Sequence, residues 1–186
     1  MLFGKLLRRS LLNKRLNSRL NCSKELHGFT GQITGTLEGE GPIVGSYAEC
    51  KHTFVQEDVN IFAKICGDNN PLHTNPEIAK DSMFKGTIVH GILVSSLFST
   101  LFGASMHGAV YVDQTLKFKR PVHVGTNVIA KMEIINKSHA RSGHMLTCST
   151  TVYLDNEHGN AGEYGKTAVE GEARVLLPYE SYPKEA

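Results

Sequence analysis

Residues 88–102 read IVHGILVSSLFSTLF, fifteen positions without Asp, Glu, Lys or Arg. The run is too short and too rich in serine for a membrane span, which needs about 20 predominantly apolar residues. A helix that is apolar or small all round is buried on every side, so the run predicts a central helix enclosed by other elements. The enclosing material follows it. Val110, Val112, Leu116 and Phe118 alternate with Tyr111, Asp113, Thr115, Lys117 and Lys119, with Gln114 the one polar residue on the inward side. Val128, Ala130, Met132 and Ile134 repeat the pattern, as do Leu146, Cys148, Thr150, Val152 and Leu154, and finally Val169, Ala173, Val175 and Leu177. Period-two alternation with one polar face predicts antiparallel strands with one face on a core. Four such strands after the helix and one before it, at Tyr47–Phe54, make an α+β architecture in which a curved sheet wraps a buried helix.

This is the hotdog arrangement, and the lack of an internal repeat predicts one copy per chain. Between the first strand and the buried helix, Gln56–Cys66 has Val59, Phe62, Ala63 and Cys66 on one face and reads as a short helix stopped by Gly67. A loop, Asp68–Asn75, follows, stiffened by Pro71, and a brief helical turn is expected around Pro76–Lys80. A single sheet leaves an edge strand that a second copy can cover, so a homodimer is expected.

Three segments organise the 186 residues: an N-terminal 1–27, a Gly-rich linker over 28–46, and the folded domain over 47–180. Residues 1–24 carry seven of the chain's 20 Lys and Arg and none of its 18 acids, so the rest of the chain is net negative by five. A basic patch confined to one end is not a nucleic-acid footprint, which belongs on the folded domain. Leu2, Phe3, Leu6, Leu7, Leu11, Leu12, Leu16 and Leu20 recur at helical spacing among those cations. An amphipathic, Arg-rich, acid-free start has the composition of a mitochondrial transit peptide. The same physics also serves a basic helix on a membrane surface or a partner, without stable membrane insertion. The final Pro-Lys-Glu-Ala is no Ser-Lys-Leu type address, so the mitochondrial matrix is the expected compartment. Cys22, Cys50, Cys66 and Cys148 form no Cys-x-x-Cys pair, and reduced thiols rather than a zinc site or a disulfide framework are expected.

The densest polar stretch is FAKICGDNNPLHTNPEIA, residues 62–79. Alone, Asp68 after a helix-ending glycine is an Asx-turn residue, and His73 alone is an ordinary structural histidine. Together they put a carboxylate and an imidazole five residues apart on one stiffened loop, which suits acid–base chemistry near neutral pH.

The stretch resembles the signature of the hydratase 2 family, the MaoC-like enoyl-CoA hydratases and dehydratases. The resemblance falls on Phe62, Ile65, Cys66, Gly67, Asp68, Asn70, Pro71, Leu72, His73 and Ala79, without departure, and Ile88-Val89-His90-Gly91 before the apolar run is similar to the family's entry into its central helix. With the basic N-terminus, the nearest branch is the type 2 hydroxyacyl-thioester dehydratases of mitochondrial fatty-acid synthesis. The resemblance implies reversible syn addition of water to a trans-2-enoyl thioester, on acyl carrier protein or coenzyme A, giving the (3R)-hydroxyacyl thioester. Asp68 and His73 would hold the catalytic water, with neither metal nor organic cofactor required.

Gly91 opens the buried helix, where free N–H groups and the positive dipole end lie, and is expected to donate its N–H to the thioester oxygen; a tight helix–sheet contact is its other reading. His90 is read as a structural hydrogen bond at the helix start. Asn70 is expected to orient Asp68 or hold the loop. Ser99 is placed either near the pair or in packing, and Met83 and Phe84 either along the acyl tunnel or in the core. Lys117, Lys119 and Arg120 could form a basic patch for an acidic carrier. Two other readings stay open: a hotdog acyl-thioesterase, which would want a carboxylate on or beside the central helix that Ile88–Phe102 lacks, and a non-catalytic acyl-thioester binding module.

Overall fold

Alternating apolar residues become strands wherever one face finds a helix to cover it, and the chain's order of elements follows from that. The computed structural model describes residues 34–35, 42–106, 108–155 and 164–179. In chain order these form β1 (Thr34–Gly35), β2 (Tyr47–Thr53), α1 (Gln56–Cys66), α2 (Pro71–Thr74), α3 (Pro76–Asp81) and α4 (Gly91–Ser105). The second half holds β3 (Val110–Gln114), β4 (Lys117–Phe118), β5 (Asn127–Ala140), β6 (Gly143–Leu154) and β7 (Thr167–Pro178). The sheet is antiparallel in the order β1-β2-β5-β6-β7-β3, with β4 also on β7. It wraps α4, which packs against β2, β5, β6 and β7. This is the hotdog fold.

The core is the seam between α4 and the inward faces of the long strands. Val94, Leu97, Phe98, Leu101 and Phe102 from the helix meet Val128, Ala130, Met132 and Ile134 from β5, and Leu146, Cys148 and Val152 from β6. Fully burying each large side chain is worth about 1.5–3 kcal/mol, so the charge-free run is held in the middle by solvation alone. The helix opens at Gly91, as expected, and runs on to Ser105. His90 stands at its N-cap, and Ile88 and Val89 are extended, with Ile88 bridging His123 and Val89 N–H donating to Val122 O at 2.8 Å.

Three expectations are modified. The strand expected over 110–119 is broken at Thr115, whose N–H donates to Glu172 O at 2.9 Å, and β3 shifts register between Tyr111 and Asp113. Such an irregularity puts an unpaired residue into the strand and resets which residues share a face. Tyr111, expected outward, therefore packs edge-on against Phe102 and donates to Gln114 Oε1 at 2.6 Å, while Val110 and Val112, expected inward, are about half exposed; Phe118, on β4, keeps its inward side toward α4. Second, residues 34–35, inside the stretch read as linker, form a short strand on β2, and Gly45 N–H donates to Ile134 O at 2.8 Å. Backbone pairing needs no apolar periodicity, which is why the composition concealed it. Third, Cys66, expected on the apolar face of α1, is exposed, whereas burial pushes the thiols of Cys50 and Cys148 up to about 12, leaving both as inert core residues. The segment read as a transit peptide, 1–27, lies outside the described residues.

Candidate active site

The loop between α1 and α2 is built by local rules. Gly67 takes φ 82° and its N–H closes on Ala63 O at 2.8 Å, ending α1 in a left-handed cap that glycine adopts without strain. Asn70 caps the next turn: its Oδ1 accepts from Leu72 N–H at 3.0 Å, and Pro71 fills the first helical position. The Asn70 backbone N–H donates to Asp68 Oδ1 at 3.2 Å. Asn70 thus both holds the loop and steadies the Asp68 carboxylate.

The loop is tied to the chain entering α4 by crossing bonds. Ile88 N–H donates to Leu72 O at 3.1 Å, and His73 Nδ1 donates to Ile88 O at 2.7 Å. A carbonyl oxygen only accepts, so Nδ1 carries a proton, and in the tautomer with that proton alone Nε2 is an acceptor. That nitrogen lies 4.0 Å from Asp68 Oδ2. A water about 2.8 Å from each atom would subtend roughly a right angle between them, donating one hydrogen to each. The His73 side chain is 13% exposed and that of Asp68 53%, so one acceptor is sheltered and the other open.

His90 completes the cluster from behind. Its ring stacks on His73 with centroids 3.8 Å apart and meets Phe62 edge-on at 5.1 Å, and its Nε2 donates to the Asp68 carbonyl at 3.0 Å. Asp68, His73 and His90 each offer one ligand atom within 4.8 Å of the others, as a metal site would require. His90 could join such a set through Nε2 only by giving up its bond to Asp68, which leaves two free donor atoms, fewer than a stable protein site uses.

Gly91 is the first residue of α4, and among the described residues no side chain caps that helix; its first intrahelical bond is Val94 N–H to His90 O at 3.0 Å. The first-turn N–H groups therefore face outward as donors. A Cβ on Gly91 would lie 2.6 Å from Phe118 Cε1, so the close helix–sheet contact is also present. A cavity of about 330 Å³ opens here, lined by His73, Phe84, Gly91, Ile92 and Phe118, with Lys119 and Arg120 among its polar walls. Lys119 pairs with Glu170 at 3.0 Å and Arg120 donates to Thr167 O at 2.8 Å.

The fold thus brings Asp68, Asn70, His73 and Gly91 to one place and puts Phe84 in the adjoining cavity. Met83 does not join them: at the tip of the turn after α3 it is 86% exposed, outside the core and outside the lining of that cavity. Ser99 is also exposed, and eight residues at about 1.5 Å rise carry it far down α4 from Gly91, away from the pair. Phe118 was not singled out as a site residue because its strand pattern reads as core. His90, at the helix start, makes the structural hydrogen bond expected of it, to a partner 22 residues back.

Residues 40–155 match the model of the MaoC like domain family. A tomato (Solanum lycopersicum) protein, "3-hydroxyacyl-[acyl-carrier-protein] dehydratase FERN, mitochondrial", is 34% identical over 73% of this chain and 77% of its own. An Arabidopsis thaliana protein, "3-hydroxyacyl-[acyl-carrier-protein] dehydratase, mitochondrial", is 32% identical over 82% of this chain and 86% of its own. Among solved structures, the (R)-hydratase of A. caviae superposes with a TM-score of 0.66 at 35% identity, covering 75% of this chain and all of that one. With the sequence signature, the enclosed helix and these relatives in agreement, the chain belongs to the MaoC-like dehydratase family.

Proposed function

We propose that this protein catalyses the reversible dehydration of (3R)-3-hydroxyacyl thioesters to trans-2-enoyl thioesters, with Asp68 and His73 as its acid–base pair. One observation carries the reading: His73 Nδ1 is committed to Ile88 O, which leaves Nε2 as an acceptor facing Asp68 Oδ2 across 4.0 Å. Two acceptors a water's width apart hold that water by its hydrogens and leave its lone pairs for carbon. In hydration the oxygen bonds to Cβ as one member of the pair takes its proton, and the pair returns a proton to Cα. In dehydration Cα gives up a proton and the Cβ hydroxyl leaves as water, so protons balance without a co-reactant. Each such group contributes about 10²–10⁴-fold. Negative charge gathers on the thioester oxygen, and Gly91 N–H is the donor assigned to it.

The names of the plant relatives support an acyl group carried on acyl carrier protein, and their mitochondrial location, with the basic residues 1–24, supports the mitochondrial matrix. Deleting residues 1–24 should abolish import and spare activity; import without them would sink that assignment. The working unit in this reading is a homodimer, joined where, among the described residues, β3 leaves its outer edge unpaired and shows Val110 and Val112 to solvent.

The test follows a trans-2-enoyl thioester with the protein, recording loss of conjugated absorbance, free thiol and product stereochemistry. Absorbance loss without thiol, giving the (3R) product, and its disappearance in Asp68→Asn and His73→Gln, is the expected result. Thiol release would mean a thioesterase, and binding without turnover a carrier module; either overturns the reading.

A further inference from the structure

We infer that His90 is a positioning residue: it sets the Asp68 carboxylate by holding the backbone that carries it. The inference rests on the acid–base role proposed above for Asp68. His90 occupies the N-cap of α4, a seat normally taken by a short side chain whose oxygen accepts a first-turn N–H. The imidazole makes no cap bond there. It turns away from its own helix and reaches the Asp68 carbonyl at 3.0 Å. Because a carbonyl only accepts, the proton sits on Nε2, and Nδ1 is left as a lone pair.

That lone pair is buried and, among the described residues, has no hydrogen-bond partner, in a residue only 4% exposed. An unsatisfied buried polar atom is costly, and each one in a native core calls for a reason. Packing does not supply it, since a phenyl ring would stack on His73 and meet Phe62 equally well without the orphaned nitrogen. What a phenyl ring lacks is the Nε2–H bond to Asp68.

The loop has need of that bond. Asp68 lies one residue beyond the left-handed Gly67 and two before the Asn70 cap, and its half-exposed carboxylate is held through Oδ1 by Asn70 N–H at 3.2 Å. Its other oxygen, Oδ2, stands 4.0 Å from the Nε2 atoms of both histidines. His90 therefore grips the Asp68 backbone with one atom while its ring face fixes the plane of His73, itself pinned at Nδ1. The spacing between the two proton carriers is set by a ring that transfers no proton.

The experiment compares kcat, KM and thermal melting of the full chain with His90→Phe and His90→Gln on a trans-2-enoyl thioester. Phenylalanine keeps the ring and loses the donor; glutamine loses the ring and places an amide N–H near the position of Nε2. A displacement on the scale of 1 Å costs up to about 10²-fold. His90→Phe should therefore lower kcat by about 10- to 100-fold, with KM within about threefold and melting nearly unchanged, and His90→Gln should recover most of the loss. Wild-type kcat in a folded His90→Phe, or a folded His90→Gln as impaired as the phenylalanine variant, overturns the inference. Should His90→Phe fail to fold, the glutamine variant decides alone: near wild-type turnover supports the bond, and a deep loss refutes it. A wild-type protein that forms no (3R)-hydroxyacyl product defeats the catalytic reading itself, an outcome visible before any His90 variant is compared.

Discussion

Replacing Gly91 with alanine separates two properties that coincide at this residue, closeness to the sheet and closeness to the substrate. The added Cβ would lie 2.6 and 2.7 Å from Phe118 Cε1 and Cδ1. Carbon atoms rest about 3.5–4.0 Å apart, so the ring must retreat by roughly 1 Å. Phe118 is 53% exposed and its ring is the far end of a flexible side chain, so the retreat is cheap. Alanine is also the better helix former, by about 1 kcal/mol in a helix interior, so melting should move little. The chemistry has no such freedom. The methyl projects into the cavity shared by His73 and Phe118 and keeps the thioester oxygen off the first-turn N–H groups. Losing an oxyanion donor costs about 10²–10³ in kcat, or roughly 3–4 kcal/mol, and a fall of that size is expected for Gly91→Ala. The control is Phe118→Ala, alone and combined with Gly91→Ala, assayed by loss of enoyl-thioester absorbance. If the methyl blocks the substrate, the double variant stays about 10²-fold or more below Phe118→Ala. If the double variant matches Phe118→Ala, Gly91 serves only the helix–sheet contact and the oxyanion assignment falls.

Three further predictions follow from the same geometry. Asn70→Ala removes the cap on Leu72 N–H and should cost about 1 kcal/mol of stability; it should also lower kcat more than it raises KM, and unaltered kcat would show that the cap does not steady the pair. Burial holds the His52 imidazole below its ordinary value against the pull of Asp58, and burial, Lys137 and His139 do the same to His144. A depressed histidine makes the unfolded chain bind more protons than the folded one below about pH 6.5. Stability should therefore fall as the pH drops through that value, and His52→Phe should flatten the slope in thermal melts from pH 8 to 5; a slope unchanged by the substitution refutes the assignment. If the proposed homodimer forms through β3, Val112→Asp, which puts a charge on that half-exposed strand, should convert it to monomer in light scattering, whereas a dimer that persists locates the interface elsewhere.

What could be read without coordinates was whatever depends on residues near one another in the chain. The bounds of α1, the inward faces of β5, β6 and β7 and the burial of α4 follow from spacing and solvation, because periods of 3.6 and 2 decide which side chains share a face. Asp68 and His73 were legible for a similar reason: five residues and one proline confine them to one loop. The phase of β3 was not, because one extra residue in the strand moves its apolar side chains to the other face, and only pairing with β7 reveals it. Nor was the exposure of Met83 and Ser99, since both residue types suit a pocket, while a turn tip exposes Met83 and the open face of α4 exposes Ser99. The amino-acid sequence determined the helix and the strands through local periodicity, and it put Asp68 and His73 on one short loop through their spacing. Tertiary structure alone decided the free nitrogen of His73, the Phe118 ring over Gly91 and the reach of His90 to Asp68, because each of these is a contact between segments that only folding brings together.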